Sequence, residues 1–386
     1  MLPYGRQDIT QADIDAVVEV LQSDFLTQGP VVPLFEEAIA KKVGARHAVA
    51  TNSATSALHL ACLALGLGPG DRLWTSTISF VASANCGLYC GANVDFVDID
   101  PQTYNLCPDA LARKLETAKL SGQLPKIVVA VHLCGQPCDM AAIHRLSIQY
   151  GFAIIEDASH AIGGRYRGRP IGSCDFSDIT IFSFHPVKII TTAEGGMAVT
   201  NSKALHNTME LLRSHGITRD PTQMTHEPHG PWYYQQVALG FNYRMTELQG
   251  ALGLSQLERL DQYVERRHDL AERYDRLLSD LPVTRPWQSP DSYSGRHLYV
   301  VRVKPDVADR SHVFSSLRAQ HIGVNLHYIP IHTQPYYTSL GFKEGDFPHA
   351  EQYYREAISL PLFGTMTDSQ QDTVIKALAD SIKGCG

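Results

Sequence analysis

Ile127-Val-Val-Ala-Val131, Met140-Ala-Ala-Ile-His-Arg-Leu-Ser-Ile-Gln-Tyr150 and Phe152-Ala-Ile-Ile-Glu-Asp157 follow one another with only short connections. The first and third runs are strand-sized and rich in β-branched residues, and the middle one has helical length. The same alternation is read upstream. A strand at Ala48 to Ala50 leads to a helix from Leu58 to Leu67, and Arg72 to Thr75 is a strand followed by a helix starting near Ile78. Val94 to Val97 is a strand before a helix near Asp109 to Leu120. Alternation of this kind predicts an α/β fold with a mostly parallel, doubly wound sheet and helices on both faces. Ligands of such sheets bind outside the carboxyl ends of the strands.

Three stretches fall at such ends. Thr51-Asn-Ser-Ala-Thr-Ser-Ala-Leu58 places Ser53, Thr55 and Ser56 between a strand and a helix. Backbone N–H groups and hydroxyls meet there at the positive end of the helix dipole and suit a phosphate. Simple capping by Ser53 or Thr55 fits the same residues, but three hydroxyls exceed what one cap needs. Glu156-Asp-Ala-Ser-His160 ends the strand led by Phe152. Its Asp157 suits the ring nitrogen of a pyridine cofactor, whose electron sink it would strengthen. Capping of the next turn by Glu156 or Asp157 is the alternative, and His160 stands where it can touch a cofactor or orient Asp157. Ser183-Phe-His-Pro-Val-Lys-Ile-Ile-Thr-Thr-Ala-Glu-Gly-Gly196 joins two apolar runs and holds Lys188 among small and hydroxyl residues. A partly desolvated lysine on a rigid turn can form an imine; taken alone, a solvated loop lysine fits equally. Phe80, just past a strand end, either covers a flat ligand or joins the core. Together these features make the set that pyridoxal phosphate needs: anion site, ring stack, pyridinium partner and imine lysine.

Composition narrows the alternatives. The 386 residues carry a net charge of -7, with 44% hydrophobic and 19% charged residues. These are values of an ordinary globular protein with no basic patch for nucleic acid. No apolar run is long enough to span a membrane, and Met1-Leu-Pro-Tyr-Gly-Arg-Gln-Asp8 has no signal-peptide core, so a cytoplasmic location is expected. The eight cysteines, at 62, 86, 90, 107, 134, 138, 174 and 385, match no zinc spacing, and no metal site is expected. No G-x-G-x-x-G follows the first strand, which argues against a dinucleotide site.

The remaining elements are read as follows. Thr10 to Gln22 is a helix capped by Thr10 with Asp13, its apolar face made of Ile14, Val17, Val18 and Leu21. Val32 to Val43 is a helix stopped by Gly44. Gly163 to Gly172 is a hairpin, and His206 to Arg213 a helix. Residues 220–232 form either a mobile loop or a lid, and Met245 to Tyr274 one long helix. His297 to Val303 and Gly323 to His327 are strands, with helices at Val313 to Gln320 and Asp368 to Ile382. The expected division is a large cofactor domain over 1–250, a linking helix over 251–270 and a small α+β domain over 271–386.

Across nearly its whole length the chain resembles the DegT/StrS-type sugar-nucleotide aminotransferases, a fold-type I pyridoxal-phosphate family. Within it the chain looks most like the 4-aminotransferases of pseudaminic acid biosynthesis. The likeness is carried by Pro3-Tyr-Gly-Arg-Gln7, Leu26-Thr-Gln-Gly-Pro30, Asn52-Ser-Ala-Thr-Ser-Ala57, Ile155-Glu-Asp-Ala-Ser-His160, Ser183-Phe-His-Pro-Val-Lys188, Arg213-Ser-His-Gly216 and Asn242-Tyr-Arg-Met245. The resemblance implies that Lys188 forms the Schiff base, Asp157 meets the ring nitrogen, Phe80 stacks on the ring and His160 lies near the cofactor oxygen. It implies that Ala54, Thr55 and Ser183 bind the phosphate, with Asn242 supplied by a second subunit of a homodimer. Tyr4, the loop Asp24, Phe25, Leu26 and Thr27, and the stretch Leu326, His327, Tyr328 and Ile329 are implied to line the sugar-nucleotide pocket. Arg244 suits either a bidentate carboxylate or phosphate contact or a surface ion pair. The implied reaction moves an amino group from L-glutamate to C4 of a UDP-linked 4-keto-6-deoxy-N-acetylhexosamine. The alternative is a 4- or 3-aminotransferase for a D-configured keto sugar. Lysine at 188, where some relatives carry histidine and act as dehydratases, favours transamination over that chemistry. A regulator that binds cofactor without turnover is the remaining reading, against which the intact Lys188, Asp157 and Thr55 set argues.

Overall fold

A computed structural model describes residues 1–384; Cys385 lies outside the described residues. Its centre is a seven-stranded sheet of His47–Thr51, Arg72–Ser76, Asn93–Val97, Ile127–Val131, Ala153–Asp157, Ile179–Ser183 and Gly196–Thr200. From one edge to the other the strands run 47–51, 196–200, 179–183, 153–157, 127–131, 72–76 and 93–97. Gly196–Thr200 is antiparallel to both neighbours and the other pairings are parallel. Ile127–Val131 and Ile179–Ser183 are buried along their whole length, as expected for strands covered by helices on both faces.

The parallel order sends the carboxyl ends of the 127–131, 153–157 and 179–183 strands to one side. Helices Ala54–Ala64 and Ala82–Tyr89 begin on that side too. One short turn, Asn52–Ser53, joins the edge strand to the first of them. Gly44 ends the preceding helix, Val31–Val43, with φ 78°, a left-handed conformation that suits glycine.

A second body packs around the 18-residue helix Leu260–Leu277. Strands Tyr299–Arg302 and Ala357–Leu360 pair antiparallel beside helices Arg310–Ala319, Pro348–Glu356 and Asp368–Lys383. Their core runs from Leu270 to Ile382 and includes Tyr274, Val313, Leu317, Phe363 and Leu378. Arg267 is buried and donates to the carbonyls of Arg296, His297 and Leu362, tying the helix to this body. Among the described residues no helix is long and apolar enough to cross a membrane.

Four expectations are corrected. Met245 to Tyr274 is two helices, Glu247–Leu257 and Leu260–Leu277, interrupted at Glu258 and Arg259. Arg259 is drawn to the buried Asp13, which it meets at 2.6 and 2.8 Å. Burial pushes the Asp13 carboxyl up, but bonds from Arg259, Ser255 and Thr10 outweigh it and hold the group down at about 2. The helix expected from Ile78 starts at Ala82, because Ser76 Oγ accepts the Ile78 N–H and Ser79 Oγ bonds Ser83 Oγ, a local alternative to the helical ladder. Gly323 to His327 is not a strand; it makes one isolated bridge, Asn325 with Ser359, beside that of Ile322 with Leu2, and Asn325 Oδ1 takes the next N–H, that of Leu326. Finally, the helix Gln11–Leu21 turns Asp13 and Val20 inward, while Ile14, Val18 and Leu21 are 47%, 41% and 56% exposed. The charged Asp13–Arg259 pair, not the apolar stripe, decides which face docks.

Candidate active site

The turn after Ile179–Ser183 is closed on itself. Phe184 N donates to Gly195 O, Thr192 N and Thr191 Oγ1 donate to Phe184 O, and Lys188 N donates to His185 O. This holds Lys188 at a cavity of about 1010 Å³. Burial pushes the Lys188 amine down to about 8, against the opposing pull of the Asp157 carboxylate. A minority of the amine, about a tenth to a fifth, is therefore neutral between pH 7 and 7.4, far more than for an ordinary lysine, and the neutral form is the nucleophile.

Asp157 ends its strand on the same cavity. Its Oδ2 accepts from Ser83 Oγ at 2.6 Å and its Oδ1 from Ser159 N at 3.1 Å. It is not oriented by His160. The His160 ring lies instead 4.4 Å from that of His297 and bonds Cys134 N and Tyr328 Oη. Burial and the nearby Lys188 charge hold His160 well below the usual imidazole range, so it is neutral.

The Ser53–Ser56 stretch also lines the cavity, and its capping reading holds for Ser53. Ser53 is the N-cap, accepting from Ser56 N at 3.2 Å. The Thr55 hydroxyl is left unpaired among the described residues and faces the cavity with Ala54. The Ser183 hydroxyl is likewise unpaired and cavity-lining. Gly196 explains how these two segments meet. It pairs with both Ser183 and Thr51, and a Cβ there would stand 2.5 Å from Ala54 N and from Ser53 C. A side chain at 196 would wedge the helix start off the strand; glycine lets the cradle close. This cradle, a carboxylate at a strand end and a lysine of lowered basicity are the donor and acceptor set that a pyridine phosphate calls for.

Phe80 is 57% exposed at the cavity wall, its ring 6.2 Å from that of Tyr328, so it is not core. Tyr4, Leu326, His327 and Tyr328 line the same cavity as Lys188. Asp24, Phe25, Leu26, Thr27 and Ile329 do not; Phe25 and Leu26 are half-exposed, and Leu26 O and Thr27 are tied to Glu247 N and Thr246. Asn242 is exposed outside the lining, and its carbonyl accepts from Asn52 Nδ2. Arg244 Nη1 donates to Ser214 Oγ, away from the cavity. No ion pair engages Arg244 among the described residues, so its surface ion-pair reading is not met within one chain. Residues 220–232 form the tip of a hairpin whose strands are Ile217–Thr218 and Gln235–Gln236.

The sequence reading missed several lining residues. Asn52, Ser159, Glu194, Gln249, His297 and Asn325 all face the cavity. Ser159 and Asn52 lie within the strand-end motifs around Asp157 and Thr55, a local signal that marks them. Gln249 and His297 arrive from other elements, and nothing local marks them.

The chain matches the DegT/DnrJ/EryC1/StrS aminotransferase family over residues 7–379. It belongs to that family. The spore coat polysaccharide biosynthesis protein SpsC of Bacillus subtilis is 41% identical over 99% of this chain and 97% of its own. The UDP-4-amino-4,6-dideoxy-N-acetyl-beta-L-altrosamine transaminase of Campylobacter jejuni is 37% identical over the full length of both. Helicobacter pylori PseC, a solved aminotransferase of pseudoaminic acid biosynthesis, superposes with a TM-score of 0.90 at 32% identity, over 99% of each chain. This member of the DegT/DnrJ/EryC1/StrS family is therefore a pyridoxal-phosphate-dependent transaminase with the fold-type I architecture.

Proposed function

We propose that the enzyme transfers an amino group from L-glutamate to C4 of UDP-2-acetamido-2,6-dideoxy-β-L-arabino-hex-4-ulose, giving UDP-4-amino-4,6-dideoxy-N-acetyl-β-L-altrosamine. The observation that carries this reading is the full-length likeness to the Campylobacter jejuni transaminase named for that amino sugar. The cavity, with Tyr4, Leu326, His327 and Tyr328 on one wall, has room for a nucleotide sugar beside the lysine.

Pyridoxal 5′-phosphate supplies an aldehyde that takes up the amino group and a ring that withdraws electrons from it. In this reading Thr55, Ser183 and the N–H groups at Ala54 hold the phosphate, Phe80 covers a ring face, and Asp157 keeps a proton on the ring nitrogen. The Lys188 amine removes the Cα proton of glutamate and, in the second half-reaction, delivers a proton to C4 of the sugar. Asp157 can hold this position because Ser83 and Ser159 N occupy its two oxygens.

A homodimer with shared sites completes the reading. Asn242 of the partner subunit would reach the phosphate, which accounts for its exposure outside the cavity of its own chain. The exposed Ile14, Val18 and Leu21 stripe, with the half-exposed Phe25, Leu26 and Leu34, offers apolar surface for a second copy to cover. In the dimer the 24–27 loop and Ile329 would meet the sugar nucleotide.

The second reading changes the sugar to a D-configured nucleotide-linked keto sugar. The higher identity to SpsC, whose name specifies a polysaccharide and no particular sugar, is what keeps it beside the first. Incubation with L-glutamate and each of the epimeric UDP-4-keto sugars, with the products assigned by NMR, separates the two. A Lys188→Ala variant is expected to lose turnover and the visible absorbance band together; full activity in that variant would refute the assignment.

A further inference from the structure

The hydrogen bonds around His160 settle the direction of a proton chain. Cys134 N can only donate, and it donates to His160 Nδ1 at 3.3 Å. A neutral imidazole has one N–H, so that hydrogen sits on Nε2. Nε2 lies 3.1 Å from Tyr328 Oη and is therefore the donor in that contact. The reverse arrangement, with Tyr328 donating, would put the imidazole hydrogen on Nδ1, pointing at the Cys134 N–H. The Tyr328 hydroxyl hydrogen must then be directed elsewhere. No second partner for Oη exists among the described residues, and the side chain lines the cavity.

The neighbouring His327 does not compete. Asn325 Oδ1 accepts from Leu326 N, which fixes its amide with Nδ2 toward His327 Nε2. His327 Nε2 thus accepts, and Nδ1 donates to Ser359 Oγ at 2.8 Å. Its one hydrogen is spent inside the protein. The Tyr328 hydroxyl is not spent. Burial, with Cys134 and Asp157 nearby, also pushes the Tyr328 phenol upward, so it stays protonated.

We propose that Tyr328 is a catalytic hydrogen-bond donor: the Cys134–His160–Tyr328 chain aims its hydroxyl hydrogen into the cavity, at an electron-rich oxygen of the molecule held against Lys188. His160 is the positioning residue. The acceptor is either the phenolic oxygen of the cofactor ring or the carbonyl oxygen of the keto sugar. Both gain negative charge that an O–H donor stabilises. The proposal rests on the reading of this cavity as the pyridoxal-phosphate site.

Three variants test it: Tyr328→Phe removes the donor, His160→Leu removes its orientation, and His160→Gln keeps it. A glutamine presents one acceptor to Cys134 N and one N–H to Tyr328, as the neutral histidine does. Each variant is reconstituted with pyridoxal 5′-phosphate, and its visible band is titrated against pH without substrates. If the ring oxygen is the acceptor, loss of the donor destabilises the deprotonated, more negative form. The midpoint then rises by about one pH unit in Tyr328→Phe and His160→Leu and stays near wild type in His160→Gln. If the sugar oxygen is the acceptor, the midpoint holds. The single-turnover rate of the aminated enzyme with the keto sugar then falls about tenfold in the first two variants and not in the third. Normal midpoints with normal single-turnover rates in Tyr328→Phe and His160→Leu overturn the proposal. So does a His160→Gln variant as impaired as His160→Leu. Absence of any visible band in the wild-type chain would instead overturn the cofactor-site reading.

Discussion

At the scale of single residues, Lys188 and Asp157 differ in what sets them. Lys188 owes its low basicity to burial, so the reaction of its amine with the cofactor aldehyde follows the neutral fraction of a group with a midpoint at about 8. In stopped-flow mixing of apo-protein with pyridoxal 5′-phosphate, the rate should rise roughly tenfold per unit up to about pH 8 and then level off. Continued rise to pH 10 would mean an ordinary solvated lysine. Asp157 depends on a neighbour. Ser83 Oγ is a buried donor to a carboxylate, a bond of about 1.5–3 kcal/mol. Ser83→Ala should weaken cofactor binding roughly 10- to 100-fold, read as the dissociation constant in an absorbance titration. An unchanged constant would show that Ser159 N alone suffices. Both Lys188 and Asp157 are legible in the sequence, because a strand followed by a polar turn is a local pattern. Ser83 is not, because it lies 74 residues from its partner.

At the scale of elements, the cavity wall proposed to hold the phosphate is made by three pieces of chain meeting at Gly196. The Gly-Gly that ends the lysine stretch looks like a turn signal, yet Gly196 is the first residue of a strand between two others. Its need for no side chain comes from the helix start pressed against it. Gly196→Ala should cost about 1–3 kcal/mol of stability through the forced shift of Ser53 and Ala54. It should also weaken phosphate binding, seen as a lower Tm together with a raised cofactor dissociation constant. A variant with wild-type values for both would remove Gly196 from the cradle. The helix Gln11–Leu21 carries the opposite lesson. Its apolar periodicity is correct for a helix, and its Thr10–Asp13 capping box is present. But periodicity reports only that a face is apolar, not what covers it. In one chain the buried ion pair of Asp13 with Arg259 wins the inward position.

For the whole molecule, the exposed stripe of that helix makes the assembly testable. Ile14→Glu with Leu21→Glu should shift the protein from dimer to monomer in sedimentation velocity and lower activity at the same time, since the reading has Asn242 of the partner subunit complete each site. A monodisperse dimer in the double variant would place the interface elsewhere. Catalytic competence would then track protein concentration in the wild type only below the dimer dissociation constant.

The chain by itself determined its alternating elements, the strand-end positions of Thr55, Asp157 and Lys188, and the cofactor they imply. Each of these is written in spacing over fewer than about fifteen residues, where propensity and period act. The tertiary structure alone decided which hydroxyls remain free for a phosphate, which serine holds Asp157, which face of the first helix is buried, and which way the hydrogen on Tyr328 points. Those depend on donors and acceptors brought together from 26 to 246 residues apart. A buried polar group takes the partner that packing delivers to it, whatever its neighbours in sequence.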